Sequence, residues 1–192
     1  MYLKELLSDI TVASIVPTRE RYVVQALSGL PLEEARVVVE YGPGNGVFTR
    51  HILERGSADC RVIAIESNQT LARKLSERLN DPRLEIVQGC ARDLSRILAE
   101  RSLSMVDQVI SGIPFTLIPA TVRETICAET ARHLSSRGTF LLYQSQIPGG
   151  RAFVQRLIRP WFTVRQTKEL FFNLPPLYVL EAAVRQDLSP DT

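Results

Sequence analysis

The sequence lacks several features that would assign it to a specialised class of protein. Its three cysteines, Cys60, Cys90 and Cys127, are widely spaced and form no Cys-x-x-Cys pair. This pattern argues against a disulfide framework and a zinc site, and it predicts a cytoplasmic protein with reduced thiols and no bound metal. No apolar run approaches the roughly 18 residues of a membrane-spanning helix. The N-terminus has no signal-peptide pattern, so we expect no cleaved leader.

A strong excess of charge is also missing, since the net charge is only +2. The chain therefore has no tail that would bind a polyanion, and we expect no nucleic-acid partner. The charge is nevertheless uneven, because residues 151–168 contain five basic residues and no acid. Such a run is either a solvated face or a surface that attracts anions. The five residues are Arg151, Arg156, Arg159, Arg165 and Lys168.

The chain does contain enough apolar residues, 45% of 192, to bury the core of one globular domain. From residue 36 onward, strand patterns alternate with helix patterns five times, and two further strand patterns flank Asn173, Leu174, Pro175 and Pro176. This order predicts an α/β fold with a Rossmann-like, seven-stranded, mostly parallel sheet, one antiparallel strand and flanking helices. We divide the chain into N-terminal helices, residues 1–30, and an α/β domain, residues 31–192.

Three glycines on alternate positions, Gly42, Gly44 and Gly46, lie between the first strand pattern and the following helix pattern. Glycine is needed where the backbone adopts positive φ or where a ligand approaches the main chain. A glycine turn from a parallel strand into a helix is typical of a nucleotide site. The dinucleotide pattern is not met, because Val47 stands where its third glycine belongs, and the Lys-Ser/Thr of a P-loop is absent.

Two acidic residues frame this turn. Glu40 precedes it and is suited to hold an ammonium group, while Glu66 ends the next strand pattern, where a carboxylate can accept hydrogen bonds from both ribose hydroxyls. A ligand with an amino-acid head and a nucleoside tail satisfies both acids, which points to S-adenosylmethionine. The alternative is that both acids simply end strands.

These motifs resemble the class I S-adenosylmethionine-dependent methyltransferases over nearly the whole chain. The segments ASIVPTRERYVVQAL, VVEYGPGNGVFTRHIL, SGIPFTLIP and NLPP are similar to those of bacterial phospholipid N-methyltransferases, which are related to the ribosomal RNA adenine dimethyltransferases. The resemblance implies the class I methyltransferase fold and a set of cofactor-binding residues. They are Thr18 near the methionine carboxylate, Glu40, Gly42, Gly44 and Gly46 along the methionine portion, Glu66 and Ser67 at the ribose, and Cys90, Ala91 and Ser111 further along the site.

One position departs from the family pattern. Where the family usually has Gly-Asp-Ala after the third strand, this chain has Gly89, Cys90 and Ala91. A thiol accepts a hydrogen bond from the adenine amine only weakly. The resemblance therefore implies that adenine is held here by backbone groups, or that Asp93 reaches in.

The methyl acceptor is predicted from the segment Ser111–Phe115, which follows the fourth strand pattern. Adenine N6-methyltransferases have Asn or Asp at the position of Gly112, whose side-chain oxygen accepts from the planar amino group, so Gly112 favours an aliphatic amine. Presenting such an amine uncharged at neutral pH costs about 4 kcal/mol, and an apolar, aromatic pocket lowers that cost. Phe115, Tyr22 and Tyr143 are the candidate catalytic residues, with the Tyr143 hydroxyl as a proton relay. Each is otherwise an ordinary packing aromatic.

The sequence thus predicts a methyltransferase that acts on phosphatidylethanolamine and its methylated products toward phosphatidylcholine. We expect it at the inner membrane face, where an N-terminal helix inserts Leu3, Leu6 and Leu7 and no obligate protein partner is needed. That helix is alternatively a lid over the cofactor. Two other functions remain open: RNA adenine N6-methylation, and binding of S-adenosylmethionine without turnover.

Overall fold

The computed structural model describes residues 20–170 and 176–188. Helices and strands alternate through most of this part, as the sequence predicts. The helices are α1 Glu20–Leu27, α2 Val47–Arg55, α3 Gln69–Arg78, α4 Leu94–Ala99, α5 Ala120–His133 and α6 Gly150–Ile158. The strands are β1 Val37–Tyr41, β2 Arg61–Glu66, β3 Leu84–Gln88, β4 Val106–Ser111, β5 Leu134–Ser145, β6 Phe162–Leu170 and β7 Leu177–Val184.

The strands form one seven-stranded sheet in the order β3-β2-β1-β4-β5-β7-β6. Strands β1 to β5 pair in parallel, and β7 runs antiparallel to both β5 and β6. The prediction of a mostly parallel sheet with one antiparallel strand is confirmed. The predicted turn of the terminal hairpin, Asn173–Pro175, lies outside the described residues, as do Thr18, Leu3, Leu6 and Leu7.

The central strands are apolar because helices cover both faces of the sheet. Every residue of β1 is buried, and in β2 only Arg61 is exposed. Parallel strands covered on both faces read as continuous runs of β-branched residues, which is the pattern of Val37, Val38 and Val39. The continuous apolar runs therefore place β1 and β2 in the middle of the fold.

Two apolar clusters fill the space on the two faces. Leu94 on α4, Ile126 on α5 and Val154 on α6 belong to the first cluster. Leu27 on α1 and Ile52 on α2 belong to the second. Residues 20–30 thus pack against the sheet domain, and the division of the chain at residue 30 stays a prediction. Among the described helices, none is both long and apolar enough to cross a membrane.

We predict that Gly46 and Gly149 tolerate alanine unequally, although both begin helices in the left-handed region, with φ of 80° and 74°. Alanine there costs roughly 1–2 kcal/mol from backbone strain alone. A Cβ at Gly46 would also overlap Cδ1 of Leu75, whereas a Cβ at Gly149 meets no atom within 4 Å. Urea unfolding should therefore show that Gly46→Ala lowers the free energy of unfolding by about 1–3 kcal/mol more than Gly149→Ala does. Equal losses would contradict the packing role of Gly46.

Candidate active site

A cavity opens at the carboxyl edge of the sheet, where ligands bind in open α/β folds. Its wall is built by the glycine turn after β1, the ends of β2 and β3, the loop after β4 and the first half of α5. Together with the solvent space at its open mouth it measures about 890 Å³.

The backbone of the sheet continues into this cavity. The amide of Gly42 donates to the carbonyl of Ile65 at 2.9 Å, and that of Gly112 donates to Tyr41 at 2.9 Å. The amide of Gly89 donates to the carbonyl of Glu66 at 3.0 Å. All three glycines line the cavity. Its floor is therefore main chain held in place by the strand pairing.

The glycine turn contributes two kinds of glycine. Gly42 and Gly44 adopt positive φ, 66° and 56°, and line the cavity. A Cβ on Gly44 would meet no atom within 4 Å, so the space beside it belongs to the cavity. Gly46 instead packs against Leu75 and is not part of the cavity wall. Its predicted contact with a cofactor is replaced by a packing role.

Glu66 lies at the cavity wall with its carboxylate fixed by the main chain. Oε2 accepts from the amide of Gly44 at 3.2 Å, and Oε1 accepts from the amide of Asn68 at 2.9 Å. Burial raises the pKa of Glu66, and the bonds from Asn68 and Gly44 oppose that rise. Ser67 follows it at the same wall. The carboxylate is thus oriented toward the cavity before any ligand binds.

Glu40 lies behind the turn and is fully buried. Oε2 accepts from the hydroxyl of Thr49 at 2.6 Å, and Oε1 has no hydrogen-bond partner among the residues that the structure describes. Burial raises the pKa of Glu40 to about 8, the hydroxyl of Thr49 lowers it, and the charge of Glu66 adds to the rise. A buried carboxyl with one unpartnered oxygen is costly unless a ligand supplies a donor or a positive charge.

The far end of the cavity is apolar. Leu71, Ala91, Ile118 and Val122 line the cavity together with Cys90, which gives it an apolar part. The carboxylate of Asp93 lies 3.7 Å from the guanidinium of Arg92, and Asp93 is not part of the wall. Of the two ways to hold adenine that the sequence left open, backbone contacts stay the prediction, because Asp93 does not line the cavity.

These residues fit S-adenosylmethionine. Glu66 is placed for the ribose hydroxyls, the uncovered backbone at Gly42 and Gly44 leaves room for the methionine portion, and the walls at Cys90 form an apolar slot for adenine. Glu40 is not part of the cavity wall, and its role toward the ammonium group of the methionine portion stays a prediction, which its unpartnered oxygen supports.

On the acceptor side, Tyr143 occupies the space that a side chain at Gly112 would need. A Cβ at residue 112 would lie 2.5 Å from Cζ of Tyr143 and still closer to its hydroxyl oxygen. The Tyr143 ring stacks on Phe48, with centroids 3.9 Å apart and parallel planes. Burial, followed by the charges of Glu40 and Glu66, raises the pKa of Tyr143 well above its usual value. The hydroxyl therefore stays protonated at neutral pH.

The other predicted aromatics lie elsewhere. Phe115 is in the core, where its ring meets Phe140 edge-on at a centroid distance of 6.5 Å, so its predicted place in an amine pocket is corrected. Tyr22 is buried in the second apolar cluster, with the guanidinium of Arg21 over its ring. Ser111 is buried, and its hydroxyl accepts from the amide of Ile113 at 3.3 Å. Its contact is with the loop after β4 rather than with the cavity.

Sequence reasoning missed several residues of the site. Phe48, the stacking partner of Tyr143, looks like an ordinary core residue in the pattern of α2. Asn68 caps α3 by accepting from the amides of Thr70 and Leu71, and it also fixes Glu66. An Asn directly before a helix pattern is a recognisable cap. The stacking on Phe48 leaves no such local signal.

Comparison with known proteins agrees with this geometry. The profile of a family described as a methyltransferase domain matches residues 38–138. The ornithine lipid N-methyltransferase of Singulisphaera acidiphila is 34% identical over 171 residues, which cover 86% of this chain and 84% of that protein. The ribosomal RNA small subunit methyltransferase A of Caulobacter vibrioides is 35% identical over 86 residues, but these cover only 44% of this chain and 31% of that protein.

Solved structures share the fold at low sequence identity. The precorrin-6y C5,15-methyltransferase of Geobacter metallireducens superposes with a TM-score of 0.67 at 17% identity, over 89% of this chain and 91% of that one. A SAM-dependent methyltransferase of Aquifex aeolicus also gives 0.67, at 13% identity, over 85% and 89% of the two chains. At these identities the likeness concerns the fold alone.

We predict that Glu66→Ala weakens binding of S-adenosylmethionine by about 1.5–3 kcal/mol, the range for a lost hydrogen bond to a charged group. Glu85→Ala is the matched control, because Glu85 lies on the neighbouring strand β3 and pairs with Arg101 outside the cavity. Titration calorimetry on both folded variants measures the difference. Unchanged affinity in Glu66→Ala would remove the ribose assignment.

We also predict that Glu40 makes the unliganded protein less stable as the pH rises from 5 to 8. Its pKa is about 8 when folded and near 4.5 when unfolded, so the folded state keeps a proton that the unfolded state has released. Stability falls with pH wherever the folded state binds more protons. Glu40→Gln cannot ionise, and urea unfolding across this range should show a shallower fall for it. The raised pKa of Glu66 also makes stability fall with pH, but it does so in both the wild type and Glu40→Gln. Parallel plots of stability against pH for the two proteins would therefore contradict the effect of Glu40.

Proposed function

Since this chain belongs to the S-adenosylmethionine-dependent methyltransferases, we propose that it transfers methyl groups to an aliphatic amine carried by a membrane lipid. The sequence predicts phosphatidylethanolamine and its methylated products as acceptors. The ornithine lipid N-methyltransferase, which matches 86% of this chain, is named for a different lipid. Both lipids present a primary aliphatic amine in the headgroup, and this shared chemistry defines the proposed acceptor. The enzyme would then work in peripheral contact with a membrane surface.

The packing of Tyr143 against Gly112 is the observation that carries the proposal. An adenine N6-methyltransferase needs a side-chain acceptor at residue 112 and a flat slot beside it for the flipped base. Here that side-chain position is filled by the tyrosine ring, which Phe48 holds from the other side. What remains beside the cavity is an aromatic ring and a neutral hydroxyl. These groups suit a compact amine better than a planar base.

The chain's own residues have two tasks in this reaction. Bound S-adenosylmethionine supplies an electrophilic methyl group, and the acceptor amine must reach it without its proton. Ile113 and Pro114 make the acceptor side of the cavity apolar, and such surroundings lower the pKa of an amine. The hydroxyl of Tyr143, which stays protonated, can accept a hydrogen bond from the amine and orient its lone pair. It orients the nitrogen and does not act as a phenolate base.

The charges of Glu40 and Glu66 also act electrostatically on Tyr143. Both charges reach Tyr143, where they help to raise its pKa. Methyl transfer moves positive charge from the sulfonium to the acceptor nitrogen. In the unliganded protein Glu40 keeps its proton near neutral pH, and a cationic group bound nearby lowers its pKa. With Glu40 ionised, the negative potential at Tyr143 stabilises the methylated ammonium as it forms, which is the electrostatic contribution that enzymes commonly make.

The similarity to ribosomal RNA methyltransferases does not favour RNA as the acceptor. The Caulobacter protein matches 44% of this chain at 35% identity, and a ribosomal RNA small subunit methyltransferase A of Synechococcus matches 72% at 26% identity. The ornithine lipid N-methyltransferase matches 86% at 34% identity, and this combination of length and identity supports a lipid acceptor.

An assay with methyl-labelled S-adenosylmethionine tests the proposal directly. We expect label in lipid when the protein is incubated with vesicles that contain phosphatidylethanolamine or ornithine lipid, supplied separately so that the acceptor is identified. A third incubation contains RNA. Label in RNA and not in either lipid would overturn the proposal. Binding of the cofactor without label in any of the three would identify a binding module.

We predict that Gly112→Asn lowers lipid methylation more than tenfold, because its side chain displaces Tyr143. The melting temperature of the variant reports whether the fold is kept. Tyr143→Ala is the matched control, because it removes the tyrosine without adding a side chain at residue 112. It should lower lipid methylation as well. The double variant Gly112→Asn/Tyr143→Ala has the room and the amide acceptor of an adenine site. If the wild type does not methylate lipid and this double variant methylates RNA, the adenine alternative is supported.

A further inference from the structure

The loops after β4 and β5 expose two large apolar side chains beside the cavity. Leu117 and Ile147 are each 46% exposed, and in the described residues Val24 is the one other large apolar side chain exposed to this degree. Leu117 follows cavity residues of the loop after β4, and Ile147 follows Tyr143 by four residues. Because β4 and β5 are parallel neighbours, with Ser111 opposite Leu142, both loops lie at the same edge of the sheet.

These loops carry no charge. Residues 112–119 and 145–150 contain no acidic or basic side chain. Exposed apolar side chains on an uncharged surface next to a ligand cavity are typical of an interaction site. We call Leu117 and Ile147, with the two loops that carry them, the apolar rim.

The side chain of Gln144, near the end of β5, fixes the loop after β4. Its Nε2 donates to the carbonyl of Ile113 at 2.7 Å, and its Oε1 accepts from the amide of Phe115 at 3.2 Å. The loop that carries Leu117 is thus anchored to the strand that leads into the loop of Ile147.

A cation lies beside the first of these loops, whereas Arg151, directly after the second loop, is paired with Glu169. The guanidinium of Arg123 donates to the carbonyl of Ile118 at 3.0 Å and lies over the ring of Phe153. In the described part of the chain no carboxylate pairs with it. The sequence has no acidic residue between Glu129 and Glu169, a stretch that includes the second loop and α6. An uncharged apolar surface beside a cation matches the acyl and phosphate layers of a bilayer.

We propose that the apolar rim is the surface through which this protein contacts a lipid bilayer, with Leu117 and Ile147 entering the acyl region beside the cavity mouth. The inference rests on the proposed function, because a lipid acceptor keeps its acyl chains in the membrane and the cavity must then open toward it. It adds a contact surface within the folded domain, separate from the predicted N-terminal helix.

The test compares Leu117→Ser/Ile147→Ser with Val24→Ser, which removes an equally exposed apolar side chain from α1. Sedimentation with vesicles of phosphatidylethanolamine and phosphatidylglycerol should show at least a tenfold loss of binding for the double variant and less than a twofold loss for Val24→Ser. Methylation of a short-chain, water-soluble phosphatidylethanolamine should change less than twofold in both. Equal vesicle binding by the double variant and the wild type would overturn the proposal.

Direct insertion provides a second measurement that needs neither turnover nor a loss of function. Vesicles with brominated acyl chains should quench the fluorescence of a tryptophan placed at residue 147 but not of one placed at residue 24. The wild type measures the background fluorescence of Trp161. Lack of quenching in Ile147→Trp would overturn the proposal. If the wild type methylates neither lipid while residue 147 is quenched, the proposed function fails and the membrane surface stands.

Discussion

Three main-chain hydrogen bonds carry the pairing of the parallel sheet one residue beyond the ends of its strands, from Gly42 to Ile65, from Gly89 to Glu66 and from Gly112 to Tyr41. Each donor is a glycine that lines the cavity. The strand order places β1 in the middle, with β2 on one side and β4 on the other, so one continuous ladder positions the cofactor side and the acceptor side together. The site therefore depends on register, and any slip between β1 and its neighbours would displace both sides.

The cofactor side of the cavity could be predicted from the sequence because short, local sequence patterns specify it. A buried strand, a glycine turn and an acid at the end of the next strand are all short patterns, and the structure brings Gly42, Gly44 and Glu66 together as expected. Gly46 shows the limit of this reasoning. Its positive φ follows from its place in the turn, but its contact with Leu75 joins two helices and leaves no trace in the local pattern.

The acceptor side was harder to predict because packing between distant segments decides it. Phe115 follows a suggestive motif, yet it lies in the core, because the loop after β4 turns it toward Phe140. Tyr143 lies beside the cavity because alternation along β5 points it to the face of Phe48. The start of β5 also has no clear signal in the sequence, because the strand begins at Leu134 and runs through the polar residues 135–137, and its pairing with β4 shifts register near Asp107. A polar, irregular start of this kind has no period-2 pattern to detect.

The side-chain amide of Gln144 joins the loop after β4 to strand β5, and this connection restricts how the edge of the sheet can vary. A change in the length of that loop would break the bonds to Ile113 and Phe115, and the buried amide would keep only its bond to the carbonyl of Tyr143. A replacement of Gln144 would release the same loop from β5. Insertions in that loop are therefore costly unless residue 144 changes with them. The base of the loop is thus fixed by its hydrogen bonds to Gln144, whereas the side chains at its tip are free of that constraint.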